Sequence, residues 1–381
     1  MYLVKNKDKT MQRGAVSLFI VIFTALLVTT ITISFMQLMV KDQKQAMNSD
    51  LSESAYDSAV AGVEDAKRAL LMQQDCIGQS SQKCSDIRTA MDSGECTTLS
   101  TIFGSGAPSG EMTIMQSEGD RRLEQAYTCV KVIQDTTDYV GSIDSSTSAT
   151  LVPLRGKSAF NKIIISWGLS RSGGTVALTT GSRELPEVDA STWPESRPAL
   201  LRTQLINGGN VFKLSNFDAT GFSNTLFMYP STTGTQNSEF ALDGRRGAIG
   251  GEPQLIACDS VVSSGAYACS VSIDINPSVV AGSQTAFLNL MALYNRTDFK
   301  IELRDGDTPV LFSGVQPEVD STGRANDLFR RVVSRVELNN TFNYPVAELE
   351  SRNNICKYFS VTTEPNDYDT FNQQCDPEEN S

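Results

Sequence analysis

From Ala15 to Val40 the chain runs 26 positions without a charged residue. As a helix this stretch would extend about 39 Å at 1.5 Å per residue, enough to cross the roughly 30 Å hydrocarbon core of a bilayer. It exits into Lys41-Asp42-Gln43-Lys44 and exceeds the about 7–15 apolar residues of a secretory h-region, so it reads as a retained transmembrane helix (15–40) rather than a discarded signal. The apolar pattern then changes without stopping. Met47, Leu51, Ala55, Ala59, Val63, Ala66 and Leu70 recur at steps of three or four, while Asp50, Glu53, Asp57, Glu64 and Lys67 lie off that stripe, which predicts an amphipathic continuation over 41–74. No proline interrupts Ala15 to Gln74, so one helix of about 90 Å is expected. Gly62 is its one weak point beyond the membrane, at a cost of about 1 kcal/mol relative to alanine. The stripe predicts packing on the chain's own head, and its apolar half offers a face to copies of itself.

After Gln74 a stretch containing Ser, Gly and Cys reads as a loop-rich collar over 75–110. Beyond it, over 111–381, the periods shorten. Tyr127–Ile133 is rich in strand-favouring residues, and Lys162–Trp167 carries a continuous apolar run suited to burial on both faces. Further strands are expected at Thr175–Thr179, Val211–Leu214, Thr225–Tyr229 and Val271–Ile275. Phe299–Leu303 alternates apolar and polar, and Asp305-Gly306 supplies a hairpin turn before Pro309–Phe312. Near the end, Leu328, Val332 and Val336 fall on one face of a strand and Arg331, Arg335 and Glu337 on the other, with Arg330 the exception. The fold class is therefore α+β, a long N-terminal helix followed by a β-rich head.

Composition narrows the chemistry. The 381 residues include no histidine, which removes His-dependent triads, imidazole shuttles and most zinc or haem sites. A formal charge of −12 disfavours a general affinity for DNA or anionic lipid. Ser80-Ser81-Gln82-Lys83 matches the S-x-x-K nucleophile pattern but lacks its Ser-Asp-Asn and Lys-Thr-Gly companions. Gly104, Gly106 and Gly110 miss the phosphate-cradling spacing. Asp367 and Asp369, with Asp376, Glu378 and Glu379, could gather Ca²⁺, yet Phe371 breaks the EF-hand pattern, and a solvated acidic tail is the simpler reading. No catalytic, cofactor or metal residue is assigned, and the chain is read as a non-enzyme. The fourteen leading residues carry Lys5, Lys7, Lys9 and Arg13 against Asp8, which puts them in the cytoplasm and the head outside. There, eight cysteines point to disulfides. Cys258 and Cys269 suit a hairpin staple, whereas Cys76, Cys84, Cys96 and Cys129 allow three pairings that sequence does not rank.

The junction Gln12-Arg13-Gly14-Ala15-Val16-Ser17-Leu18 resembles the prepilin cleavage region of type IV pilins, and the segment from Arg13 to Leu70 is similar to the N-terminal part of PilX-type minor pilins. A strand ending in Ser321-Thr322-Gly323, then a turn and an Arg-containing strand, resembles another recurring pilin feature. The resemblance covers about the first 75 residues and 20 later ones. It implies a pilin-like fold, a leader (1–14) cut after Gly14 by a membrane-embedded prepilin peptidase, and a methylated mature terminus at Ala15. Loss of the leader removes four basic residues and one acidic residue, taking the formal charge from −12 to −15. It also implies a C-terminal loop closed by Cys356 and Cys375. Phe19 stands at the fifth mature position, where most pilins carry a glutamate that meets a neighbour's terminal ammonium. That departure favours a minor, priming or tip subunit over an endlessly repeating one.

The expected function is thus a minor pilin-like structural subunit of a type IV pilus or related filament, acting in assembly or surface adhesion. Its expected partners are other pilin subunits, the assembly machinery, prepilin peptidase, membrane lipid and a surface ligand of the head. Lateral packing would run through Phe19, Met47, Leu51, Ala55, Ala59 and Val63. The alternative is a single-pass, membrane-anchored extracellular adhesin that never enters a filament. The three arginines Arg330, Arg331 and Arg335 would matter for DNA only if the filament served uptake.

Overall fold

The computed structural model describes residues 12–104, 111–114, 125–144, 149–185, 192–207, 223–240, 253–282 and 286–337. Val211–Leu214, Cys356, Cys375 and the acidic tail lie outside these residues, as do residues 1–11. Helix α1 spans Gln12–Asp75 without a break, about 96 Å at helical rise. Among the described residues nothing packs on it from Leu18 to Asp50, and its second half lies on a four-stranded antiparallel sheet. The strands of that sheet are β1 (Met112–Thr113), β2 (Ala126–Thr136), β16 (Phe312–Ala325) and β17 (Leu328–Arg335), in the order β1-β2-β16-β17. Within 75–110 the structure differs from a loop-rich collar. Two short helices, α2 (Gln82–Ser93) and α3 (Thr98–Phe103), bury Ile87, Met91 and Leu99 against α1 and β2. Ser81, part of the S-x-x-K match, caps α2 by accepting a hydrogen bond from the Cys84 amide at 3.4 Å.

The rest of the head is a sandwich of two sheets. One contains β4 (Thr150–Pro153), β7 (Leu200–Asn207), β8 (Ser223–Ser231), β10 (Gln254–Ala257) and β13 (Ala286–Leu293) in the order β10-β8-β7-β13-β4. The other is built on β5 (Phe160–Leu169), flanked by β12 (Tyr267–Val279) and β14 (Thr297–Asp305). Its edges are β9 (Asn237–Glu239), β15 (Thr308–Val310) and β3 (Asp138–Ile143). Alternation along these strands turns Ile163, Ile165, Phe299, Ile301, Val271 and Ile273 inward against Leu201, Met228, Leu288 and Leu290 of the facing sheet. In the loop after β14, Gly306 takes φ 58°, the positive value such a hairpin needs. The strand expected over Thr175–Thr179 contracts to β6 (Gly174–Thr175), paired with β11 (Val261–Val262), plus a single bridge from Thr179 to Ser231. Gly173 and Gly174 both adopt positive φ there and turn the chain out of the sheet.

The helix-bearing sheet and the sandwich are coupled by polar side chains. Gln316 on β16 pairs with Val140 as a strand backbone would, accepting from its amide at 3.0 Å and donating to its carbonyl at 2.8 Å. Tyr139 donates to Glu337 at 2.9 Å, and Arg335 pairs with Asp138 at 2.9 Å and Glu318 at 3.2 Å. Three disulfides complete the described framework. Cys258–Cys269 joins the strand pair expected from sequence, Cys76–Cys84 ties the end of α1 to α2, and Cys96–Cys129 ties the start of α3 to β2. Replacing Cys258 and Cys269 together by serine frees a closure of 11 residues. The expected loss is about 2–3 kcal/mol of stability, read as a lower denaturation midpoint for the detergent-solubilised chain.

Candidate functional site

Every described side chain from Leu18 to Asp50 is exposed, and one helix in the described residues is long and apolar enough to cross a membrane. Sixteen large apolar side chains between Leu18 and Val40, Phe19 among them at 78%, stand in the open. At about 2 kcal/mol each, their exposure to water would cost on the order of 30 kcal/mol, several times the about 5–15 kcal/mol that stabilises a typical domain. This surface therefore needs a cover. It is also prepared for an apolar one, because its hydroxyls are already spent on the helix. Thr24, Thr30, Thr32 and Ser34 each donate to a carbonyl four residues back at 2.8–3.0 Å, and Thr29 donates to Leu26. No threonine or serine donor from Thr24 to Ser34 is left to face hydrocarbon.

The other half of α1 is locked to the head by small residues. Ala55, Ser58, Ala59, Gly62, Ala66 and Ala69 form its buried face, with Val63 and Leu70 filling the gaps. Leu51 is half-buried and Met47 stands beyond the head at 62% exposure. Gly62 lies so close to the sheet that a Cβ there would overlap Ser321 Oγ and come within 2.9 Å of Val130 and 3.2 Å of Tyr127. Gly323 on β16 reciprocates, since a Cβ there would overlap the backbone of Ala55 and Ala59. Ser321 and Gly323 of the Ser321-Thr322-Gly323 run are thus the sheet's half of an interlock whose helix half is Gly62, Ala55 and Ala59. The periodicity of the helix exposed its apolar stripe. The need for glycine opposite it could be read only from the alternation of small residues in two segments about 260 positions apart.

Polar groups frame this junction. Tyr127 donates to Asp65 at 2.8 Å, and burial followed by that hydrogen bond pushes its phenol well above the ordinary range. Tyr139 is pushed up likewise, by burial and then by the charge of Glu337. Arg330, the exception in the β17 pattern, turns toward the helix and donates to Ser52 Oγ at 2.8 Å. Arg331 and Arg335 face the other way and are neutralised: Arg331 makes a two-pronged contact with Asp320 at 2.7 and 2.6 Å, and Arg335 holds Asp138 and Glu318. Among the described residues, no group of three or more Cys, Asp or Glu is gathered as a metal site. Gly14 and Ala15 lie within α1.

Comparison with family models, with curated proteins and with solved structures finds no match to this chain. What the arrangement can do follows from its own physics: half of the helix is fixed to a head and the other half is presented, bare and apolar, to whatever covers it.

Two outcomes test the junction. Gly323→Val should cost about 2–3 kcal/mol by forcing helix and sheet apart. Thr322→Val, on the opposite face of the same strand, should change stability by less than about 0.5 kcal/mol in the same thermal unfolding series. Tyr127 and Tyr139 keep their protons in the folded chain above the value near 10 at which the unfolded chain releases them. The stability they contribute is complete below that pH and falls above it, by about 1.4 kcal/mol per pH unit for each tyrosine. Tyr267 is raised in the same direction, so Tyr127→Phe should make the alkaline slope shallower by about a third, as measured by denaturant titrations between pH 9 and 11.

Proposed function

We propose that this chain is a pilin-like minor subunit of a type IV pilus or a related filament, inserted first in the membrane and then assembled through α1. The observation that carries this reading is the division of one unbroken helix into a half locked on the head and a half whose described apolar side chains, from Leu18 on, are exposed. A plain anchor needs only about 20 apolar residues, whereas the exposed portion here continues past Val40 to Asp50 in unbroken helical register with the interlocked segment. That continuity lets the helix serve as a stiff packing element as well as a tether.

The leader supports processing after Gly14, with Ala15 becoming the mature terminus. Its basic residues favour a cytoplasmic N-terminus, and the three disulfides favour a head outside the cytosol. Phe19 supports a minor role: a filament core built only of such chains would leave each terminal ammonium without the usual carboxylate. The same residue favours a second reading, a membrane-anchored adhesin outside any filament.

N-terminal sequencing of the chain, taken from membranes and from sheared surface filaments, separates the two. The expected result is a terminus at Ala15 in both pools and co-sedimentation with filaments. A chain that retains its lysine-bearing leader and never leaves the membrane fraction would leave the adhesin reading in place.

A further inference from the structure

A cleft of about 600 Å³ opens at the end of the sandwich where β3 and β5 finish and β14 begins. None of its walls belongs to α1 or to the helix-bearing sheet. Its lips are held by fixed contacts. Asn295 donates to the carbonyls of both Glu195 at 2.8 Å and Arg197 at 3.0 Å, tying the β13–β14 corner to the loop before β7. The preceding residue, Tyr294, adopts φ 70°, uncommon for a residue with a side chain, and its ring stacks on Trp193 at 5.0 Å. Arg197 is nearly buried, gripped by Glu184 at 3.1 Å, by the Tyr229 hydroxyl at 3.2 Å and by the face of Trp193 at 5.0 Å. Its Nε has no hydrogen-bond partner among the described residues. Burying a guanidinium is costly, and holding two loops in register around it gives a recess whose shape is set before anything binds.

We propose that this cleft binds a neutral, hydroxyl-rich ligand, a glycan, and that it is the recognition site of the head. Charge argues against an ionic ligand: Arg171, Arg197 and Arg296 are balanced by Asp144, Glu195 and Asp298, with Arg171 directly paired to Asp298 at 3.0 Å. Composition argues against an apolar one. Ligand pockets are usually lined by hydrophobic side chains with a few polar groups, whereas this one presents hydroxyls from Ser142, Ser170 and Ser196 beside the charged groups. Carboxylates accept and guanidinium groups donate in planar pairs, the complement of adjacent sugar hydroxyls. Leu169, Val176 and Pro198 supply small apolar patches for the C–H faces of a sugar ring. The inference does not depend on filament assembly, because a chain that kept its leader would present the same cleft.

The test uses the full chain in a detergent without a sugar head group and a panel of neutral trisaccharides: maltotriose, cellotriose, mannotriose and chitotriose. At least one should bind in calorimetric titration. Glu195→Gln and Arg296→Ala should each weaken binding about tenfold through a lost charge-assisted hydrogen bond. Ser196→Trp, on an exposed lip, should abolish binding while leaving the thermal midpoint of the head unchanged. Two results would overturn the proposal: no binding by any member of the panel at about 10 mM, or binding that survives Ser196→Trp in the folded chain.

Discussion

The close approach of a helix backbone to a strand backbone organises this molecule. Helices usually rest on sheets through a layer of side chains. Here Gly323 removes that layer, so that β16 meets the backbone of α1 at Ala55 and Ala59, and Gly62 lets the helix settle directly onto the Ser321, Val130 and Tyr127 side chains. Small residues pack densely and leave few soft contacts to give way. The helix cannot slide or roll on the sheet without driving a neighbour into one of these two positions. Ser321, fully buried between them, has no hydrogen-bond partner for its hydroxyl among the described residues, a cost consistent with a position where size outranks polarity. Because the rod is fixed here, force or displacement along its bare half is transmitted to the head rather than absorbed at a hinge.

From the interlock outward, each layer is joined to the next by a different kind of link. Two disulfides fasten the end of α1 and the two short helices to each other and to β2. The amide of Gln316, which imitates a strand backbone, and the Tyr139–Glu337 and Arg335–Asp138 contacts join the sheet to the sandwich. The three arginines of β17 are all engaged inside the molecule, and one of them, Arg335, takes part in this joining. Arg331 and Arg335 hold carboxylates and Arg330 holds the helix. The cleft lies beyond all of these links, on loops carried by the sandwich, so its chemistry is free to differ from that of the rod.

What could be read from sequence follows how local its causes are. The long helix was legible because an unbroken apolar run passes directly into a three-to-four period with no proline between Ala15 and Gln74, and β5, β12 and β14 because each carries its own apolar run or alternation. The Cys258–Cys269 staple was legible for the same reason. The helices in the collar were not: α2 is polar on most sides and is held by Ile87, Met91 and the Cys76–Cys84 disulfide rather than by a strong pattern. The Thr175–Thr179 segment favours strand by composition, yet Gly173 and Gly174 turn it away from the sheet. Gly62 looked like a flaw in a helix because its reason lies on β16. The cleft is the extreme case. Its residues come from five stretches between Ser142 and Asp298, none distinctive alone, and only the stacking of two sheets brings them to one rim.

The bare half of α1 sets a further constraint on any account of its cover. Water is excluded by the cost of exposing sixteen large apolar side chains. Lipid and a bundle of like helices satisfy that demand equally, because hydrocarbon tails are as apolar as leucine, so the hydrophobic effect cannot drive exchange between them. What can distinguish the two covers is closeness of fit. Along the rod the small residues Ala25 and Thr29, and Thr30 and Ser34, fall four apart, the spacing that lets helices approach closely and exchange lipid contacts for denser packing. The Thr29, Thr30 and Ser34 hydroxyls are satisfied within the helix, so neither cover is penalised for failing to meet them. The preference between membrane and protein therefore rests on dispersion contacts along these notches and on what the heads do outside. A rod with a nearly neutral choice of surroundings can leave one for the other, provided the head to which it is locked gains something on arrival.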